Sequence, residues 1–169
     1  MPKNNKPRAL TLAILALTVT LAFTGIAAAK TVEGTPGNDT LVGTNRPDTL
    51  RGFAGDDIVR GRDGGDTIFG GAGADTLNAQ KGDDILRGGD GRDVLRAGSG
   101  DDEAYGGGGD DRMSGKSGND ILNGGAGNDI LHGSLDGERD EFICGPGRDT
   151  VEADASDQVA NDCEKVNRR

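Results

Sequence analysis

The stretch Gly70-Gly71-Ala72-Gly73-Ala74-Asp75-Thr76-Leu77-Asn78 decides the fold, because nearly the same nine residues return as Gly124-Gly125-Ala126-Gly127-Asn128-Asp129-Ile130-Leu131-His132. Between and around them Asp recurs at a constant nine-residue step: Asp39, Asp48, Asp57, Asp66, Asp75, Asp84, Asp93, Asp102, Asp111, Asp120 and Asp129. Two residues after each Asp stands an inward candidate, from Leu41 and Leu50 through Ala104 and Met113 to Leu131. Two residues before each stands Gly, with Arg46 the one exception. The chain therefore carries a tandem unit, Gly-Gly-x-Gly-x-Asp-x-apolar-x, and a fixed period has to be read before any single element.

The unit has a mechanical meaning. Its six Gly-rich residues can turn tightly, since Gly accepts positive φ without a Cβ clash, and triplets such as Asp75-Thr76-Leu77 form minimal strands. Turn, strand, turn, strand makes one coil of a solenoid from two repeats. The apolar position of each repeat then points inward and its neighbours outward, by strand alternation. The expected fold is all-β, a parallel β-roll with a core one apolar side chain thick per repeat.

Composition agrees. The 169 residues include 31 Gly but only four Phe, one Tyr and no Trp, too few large side chains for a conventional core. A formal net charge of -10 argues against nucleic acid or anionic lipid as the main partner. A single His (His132) and two Cys (Cys144, Cys163) supply no His-rich metal site and no Cys–His nucleophile pair.

Stacking sorts the Asp residues onto two edges, Asp39, Asp57, Asp75, Asp93, Asp111 and Asp129 on one and Asp48, Asp66, Asp84, Asp102 and Asp120 on the other. Neighbours on an edge are about 4.8 Å apart by strand spacing. Bare carboxylates so close repel, and a hard divalent cation between coils reverses the sign, using carboxylate and turn carbonyl oxygens. Calcium suits this better than magnesium, which demands octahedral geometry and keeps its waters.

The two quoted segments, Gly70 to Asn78 and Gly124 to His132, resemble the hemolysin-type calcium-binding repeat of the repeats-in-toxin family, whose nonapeptide is a known calcium-binding β-helix repeat. The resemblance covers Gly34 to His132. It implies a right-handed parallel β-roll, several calcium ions held by the sixth-position Asp and turn carbonyls, and a secreted bacterial protein. Arg46-Pro47, Ala79-Gln80 and Asp102-Glu103-Ala104 depart from the pattern, which weakens the sites at Asp48, Asp84 and Asp102.

Both ends read differently from the body. Lys3, Lys6 and Arg8 precede an apolar run from Ala9 to Ile26 that closes on Ala27-Ala28-Ala29, the form of an export signal cleaved after Ala29. Residues 1–29 are thus expected to be a signal peptide, 30–132 the calcium-binding roll, and 133–169 degenerate repeats with a C-terminal cap. In the last of these, Gly133 to Arg139 is an insertion, after which Asp140 and Asp149 restore the nine-residue step. Cys144 and Cys163 are 19 residues apart, close to one coil, and can staple the cap. An intermolecular disulfide or two free thiols are the alternatives.

Function follows from what is present and what is missing. No catalytic constellation can be placed, so the expectation is a secreted, extracellular, non-enzymatic protein that folds on calcium and serves as a structural or adhesion module. An extracellular hydrolase or protease inhibitor on this scaffold is the alternative. Gly115-Lys116-Ser117 lacks the upstream Gly of a phosphate loop, because Asp110 stands there, and no EF-hand loop occurs. Arg51, Arg60, Arg87 and Arg96 fall at the outward ninth position, where they are expected to offset the acidic edges, or else to form a stripe for an anionic polysaccharide.

Overall fold

The computed structural model describes residues 29–134 and 136–168. The segment on which the export reading rests, residues 1–28, lies outside them. Strands begin with β1 (Thr31–Glu33), β2 (Thr40–Val42), β3 (Thr49–Ala54), β4 (Ile58–Asp63), β5 (Thr67–Ala72) and β6 (Thr76–Lys81). They continue with β7 (Ile85–Asp90), β8 (Val94–Ser99), β9 (Glu103–Gly108), β10 (Arg112–Ser117) and β11 (Ile121–Ala126). The last are β12 (Ile130–His132), β13 (Glu141–Ile143), β14 (Thr150–Ala153), β15 (Gln158–Val159) and β16 (Lys165–Arg168). No helix long and apolar enough to cross a membrane occurs among the described residues.

Odd-numbered strands stack in order as one sheet and even-numbered strands as the other, so each coil contributes one strand to each sheet. All pairings are parallel. The register advances by 18 residues, as in Thr76↔Val94 and Leu77↔Leu95, which is two repeats per coil. The result is a parallel β-solenoid of about eight turns. Between the sheets lie Leu50, Val59, Ile68, Leu77, Leu86, Leu95, Met113, Leu122 and Leu131, each at most 1% exposed.

The strands are longer than the expected triplets. In the central coils the strands are six residues long, and only Gly-x-Asp is left as the turn, for example Gly73-Ala74-Asp75 between β5 and β6. The cause lies in the Gly pair. Its first residue points inward and its second outward, so the backbone continues the ladder after a break of one residue, as in Gln80↔Gly98 after Asn78↔Arg96. Ala79 and Ala97 occupy the inward position and are fully buried. The weak-looking Asp102-Glu103-Ala104 likewise begins a full strand, β9, because β7 and β11 flank it with backbone partners.

The second position of the pair carries positive φ. Gly71 and Gly89 sit at 123° and 118°, and a Cβ on Gly89 would run into the carbonyl oxygen of Gly71. Four other residues accept the same conformation with a side chain: Phe53 (84°), Arg62 (94°), Gln80 (88°) and Lys116 (86°). Such backbone costs on the order of 1–3 kcal/mol per residue. Gly89→Ala should therefore destabilise the roll by more than about 1 kcal/mol, whereas Phe53→Gly should not destabilise it. Urea midpoints measure both, and equal midpoints for Gly89→Ala and the parent would contradict the steric account.

Sheet order carries past His132 through β13 to β16, so the degenerate segment extends both sheets. The insertion lengthens one coil from 18 to 20 residues, and Leu131 still pairs with Val151. Cys144 and Cys163 are joined in a disulfide with Cα atoms 5.2 Å apart. Cys144 takes the inward first position of its repeat and is fully buried, so the bond fastens the last coil from inside the core. Closing a loop of this size stabilises by roughly 3 kcal/mol in the chain-entropy model.

Candidate metal-binding edges

Each edge of the roll is a ladder of carboxylates, and the ladder is hydrogen-bonded. The backbone N–H of each Asp donates to Oδ1 of the Asp one coil later, at 2.6–3.0 Å along both edges. The same residue's carbonyl accepts from the coil that follows, as Asp57 does from Thr76 at 2.8 Å. One Asp per repeat thus fixes its own turn against both neighbours. The side chains are at most 1% exposed from Asp57 through Asp129.

Oδ1 is satisfied, and Oδ2 is not. Buried Oδ2 atoms with no hydrogen-bond partner belong to Asp57, Asp66, Asp75, Asp84, Asp93, Asp102, Asp111, Asp120, Asp129 and Asp149. A buried polar atom without a partner is costly, and a carboxylate more so than a neutral group. Such a row of acceptors calls for a proton or a cation.

The space beside each oxygen is shaped by Gly. The α-carbon of Gly70 faces both Asp75 Oδ2 and the carbonyl oxygen of Gly88 in the next coil, so a side chain there would fill the gap between them. Gly52, Gly88 and Gly106 repeat the arrangement beside Asp57, Asp93 and Asp111. These are all-oxygen cradles, the donor type that calcium takes. On the other edge Ala79 and Ala97 put a methyl at the corresponding position of the Asp84 and Asp102 repeats.

The ladder ends are different. Asp39 Oδ2 accepts from the backbone N–H of Thr35 at 2.5 Å and from Thr35 Oγ1 at 2.9 Å. Asp48 is held in the same way by Thr44. Of the eleven sequence candidates, nine keep a free inner oxygen and these two have theirs capped. The ladders also run further than the consensus suggested. Asp140 and Asp149 receive the N–H groups of Asp120 and Asp129, and Asp157 and Glu164 close the two edges in turn. The nine-residue step resuming at Asp140 was the available signal, whereas Asp157 and Glu164 fall in a shorter coil with no such signal.

Burial raises the inner carboxyls. Asp66, Asp84, Asp93 and Asp140 are pushed up to about 6, Asp111 and Asp120 to about 7, and Asp102 to about 8. Desolvation is the largest cause, and the N–H on Oδ1 works against it. The residue just before a ladder Asp behaves in the opposite way. Asp101 is exposed and held below the usual range by the backbone N–H and side-chain amide of Asn119.

The arginines stand apart from these edges. Arg51 and Arg87 lie on the outer face of the odd-numbered sheet and stack on Phe69, 5.3 and 5.8 Å from the ring centre, with Arg87 also 5.2 Å from Tyr105. Arg51 pairs with Glu33 at 3.6 Å. None of the four expected stripe arginines pairs with a ladder Asp among the described residues. The expectation that they offset the acidic edges is corrected, because the ladder side chains turn inside the coil while position nine points out.

A parallel solenoid whose coils are joined by carboxylate ladders, with oxygen cradles left between them, is a cation-binding repeat module. The chain belongs to the RTX calcium-binding nonapeptide repeat family, whose model matches it in four copies over residues 33–68, 60–95, 69–104 and 105–137. Comparison with the curated proteins gave no match.

Proposed function

We propose that the chain is a secreted, non-enzymatic structural module that takes several calcium ions between its coils and folds as it does so. The observation that carries this is the row of buried Oδ2 atoms without partners, from Asp57 to Asp129 and at Asp149. In this reading each ion bridges successive Asp residues of one edge and completes its shell with turn carbonyl oxygens. The edge of Asp57, Asp75, Asp93, Asp111 and Asp129 provides the stronger sites, since Gly stands at every first position from Gly52 to Gly124. Asp39 and Asp48 act as threonine-held end pieces.

Calcium supplies charge neutralisation and cross-linking of coils. The protein's own residues supply the spacing, the buried oxygens and the Gly clearance. Export through residues 1–29 would deliver the unfolded chain to a calcium-rich compartment, where binding and folding coincide. Adhesion or spacing between surfaces is the use to which a rigid rod of this kind is best suited.

Native mass spectrometry of the protein recovered from the medium of expressing cells tests both halves. It should begin at Lys30 and carry several calcium ions. A chain retained in the cells with residues 1–29 attached would overturn export, and a metal-free folded chain would overturn the ligand assignment.

A further inference from the structure

The two outer faces of the roll differ in charge. Strands β4, β6, β8 and β10 carry Arg60, Arg62, Lys81, Arg96, Arg112 and Lys116 against a single acid, Asp63. Strands β3, β5, β7, β9 and β11 of the opposite sheet carry Arg51 and Arg87 balanced by Asp90 and Glu103. A chain of net charge -10 therefore presents one strongly basic sheet face. All six cations there are exposed. Of these, Lys81 meets Asp63 at 3.5 Å, and the other five form no ion pair with any described residue of that sheet.

Backbone conformation points to the same face. At the outward second position the odd-numbered sheet starts with Phe53 and then uses Gly71, Gly89, Gly107 and Gly125, all at positive φ. The even-numbered sheet places Arg62, Gln80 and Lys116 in that conformation, stacked in register with Gly98. Long polar side chains thus hold three of the four positions of this row where Gly would remove the strain, against one non-Gly residue in five on the opposite sheet, and strain concentrated in one row marks a site with a use for those side chains. A shallow groove over this row is lined by Asn78, Gln80, Lys81, Arg96, Ser99 and Lys116.

We infer that this face binds a linear carboxylated polysaccharide lying along the roll axis. Cations interleaved with amide and hydroxyl groups match a polymer whose carboxylates alternate with hydroxyls. Guanidinium groups pair with carboxylates through two parallel hydrogen bonds. Nucleic acid fits less well, because base stacking needs aromatic rings and the outward ones, Phe53, Phe69 and Tyr105, belong to the opposite sheet. The same lack leaves no aromatic wedge for a lipid surface. The buried Asp ladders are turned away from this face, and the exposed turn acids Asp83 and Asp101 lie beside it in hydrogen bonds to the next coil.

The inference rests on the calcium-loaded roll, and the test separates the two. The full exported chain is titrated in calcium with hyaluronan, a uronate polymer, by calorimetry, while far-ultraviolet circular dichroism reports the fold. The parent should bind hyaluronan and not neutral dextran, with affinity falling as salt is added. Arg62→Gly with Lys116→Gly should weaken binding at least tenfold and leave the calcium-dependent β signal intact, since Gly relieves both strained positions. Arg51→Ser with Arg87→Ser, on the other sheet, should bind as the parent does. Folded parent that ignores hyaluronan, or a glycine double variant that binds it unchanged, overturns the proposal alone. Tighter binding to single-stranded DNA or to anionic phospholipid vesicles overturns the polysaccharide as partner. A chain without β signal in calcium overturns the calcium reading beneath it.

Discussion

Calcium added to the metal-free chain at neutral pH is expected to produce a cooperative gain of β signal in the far ultraviolet, and magnesium at the same concentration is expected to produce none. Without metal, ten buried carboxylate oxygens have no partner, and successive ones on an edge are neighbours in adjacent coils. Desolvation and mutual repulsion both act against the ionised ladder. Eight intervals separate these oxygens, five along the edge from Asp57 to Asp149 and three along the edge from Asp66 to Asp120. An ion in each at roughly tenfold saturation adds about 1.4 kcal/mol, so eight add on the order of 11 kcal/mol. That is comparable to the whole net stability of an ordinary domain, about 5–15 kcal/mol. Cooperativity follows because each coil contacts only its neighbours and each interior Asp serves two intervals. A folded spectrum in excess chelator at neutral pH, unchanged by calcium, would remove the cation from the account of folding. A response to magnesium equal to that of calcium would remove the selectivity.

The period was enough to read the solenoid, its coil of two repeats, the inward apolar row and the disulfide between Cys144 and Cys163. Leu77 facing Leu95 needs only a strict nine-residue step and strand alternation. The internal bonding of the ladder was not legible. That an Asp side chain accepts its predecessor's N–H depends on a side-chain rotamer across coils, and composition carries no trace of it. Strand length was misjudged for a related reason. Gly was read as turn chemistry, whereas in a stack of identical coils its small size lets backbone approach backbone and stay paired. The role of Thr35 and Thr44 was hidden too, since a Thr at the second position looks like simple drift from Gly until its hydroxyl is found on Asp39 or Asp48. The basic face was legible only as a stripe of Arg51, Arg60, Arg87 and Arg96, because the sequence step of nine mixes both sheets, and only the step of 18 separates Arg60 and Arg96 from Arg51 and Arg87.

Acid should do part of the work of calcium. Burial pushes Asp66, Asp84, Asp93, Asp102, Asp111 and Asp120 of the ladders up to about 6 to about 8, against 3.8 for the ordinary side chain. A carboxyl whose pKa is higher folded than unfolded binds its proton more tightly in the folded state, so protonation stabilises the fold. The gain is fully present below 3.8, shrinks as pH rises, and is gone once pH has passed the folded values, Asp102 being the last to lose its proton, at about 8. The metal-free chain should therefore gain β structure as pH falls from about 8 through about 6, the reverse of the usual acid denaturation of proteins with paired carboxylates. Where Gly lines the cradle, a protonated Oδ2 can then donate to a carbonyl oxygen across it, as Asp75 can toward Gly88. Calcium and protons compete for the same oxygens, so calcium affinity should fall over this interval and binding should release protons. Calorimetry in buffers of different ionisation enthalpy counts those protons directly. Asp101 and Asp110, exposed and held low by Asn119 and Asn128, should contribute nothing over the same range. A metal-free chain that loses β signal on acidification from pH 8 to 6, or calcium binding that releases no proton there, would show that the buried oxygens are not the shared site of proton and metal.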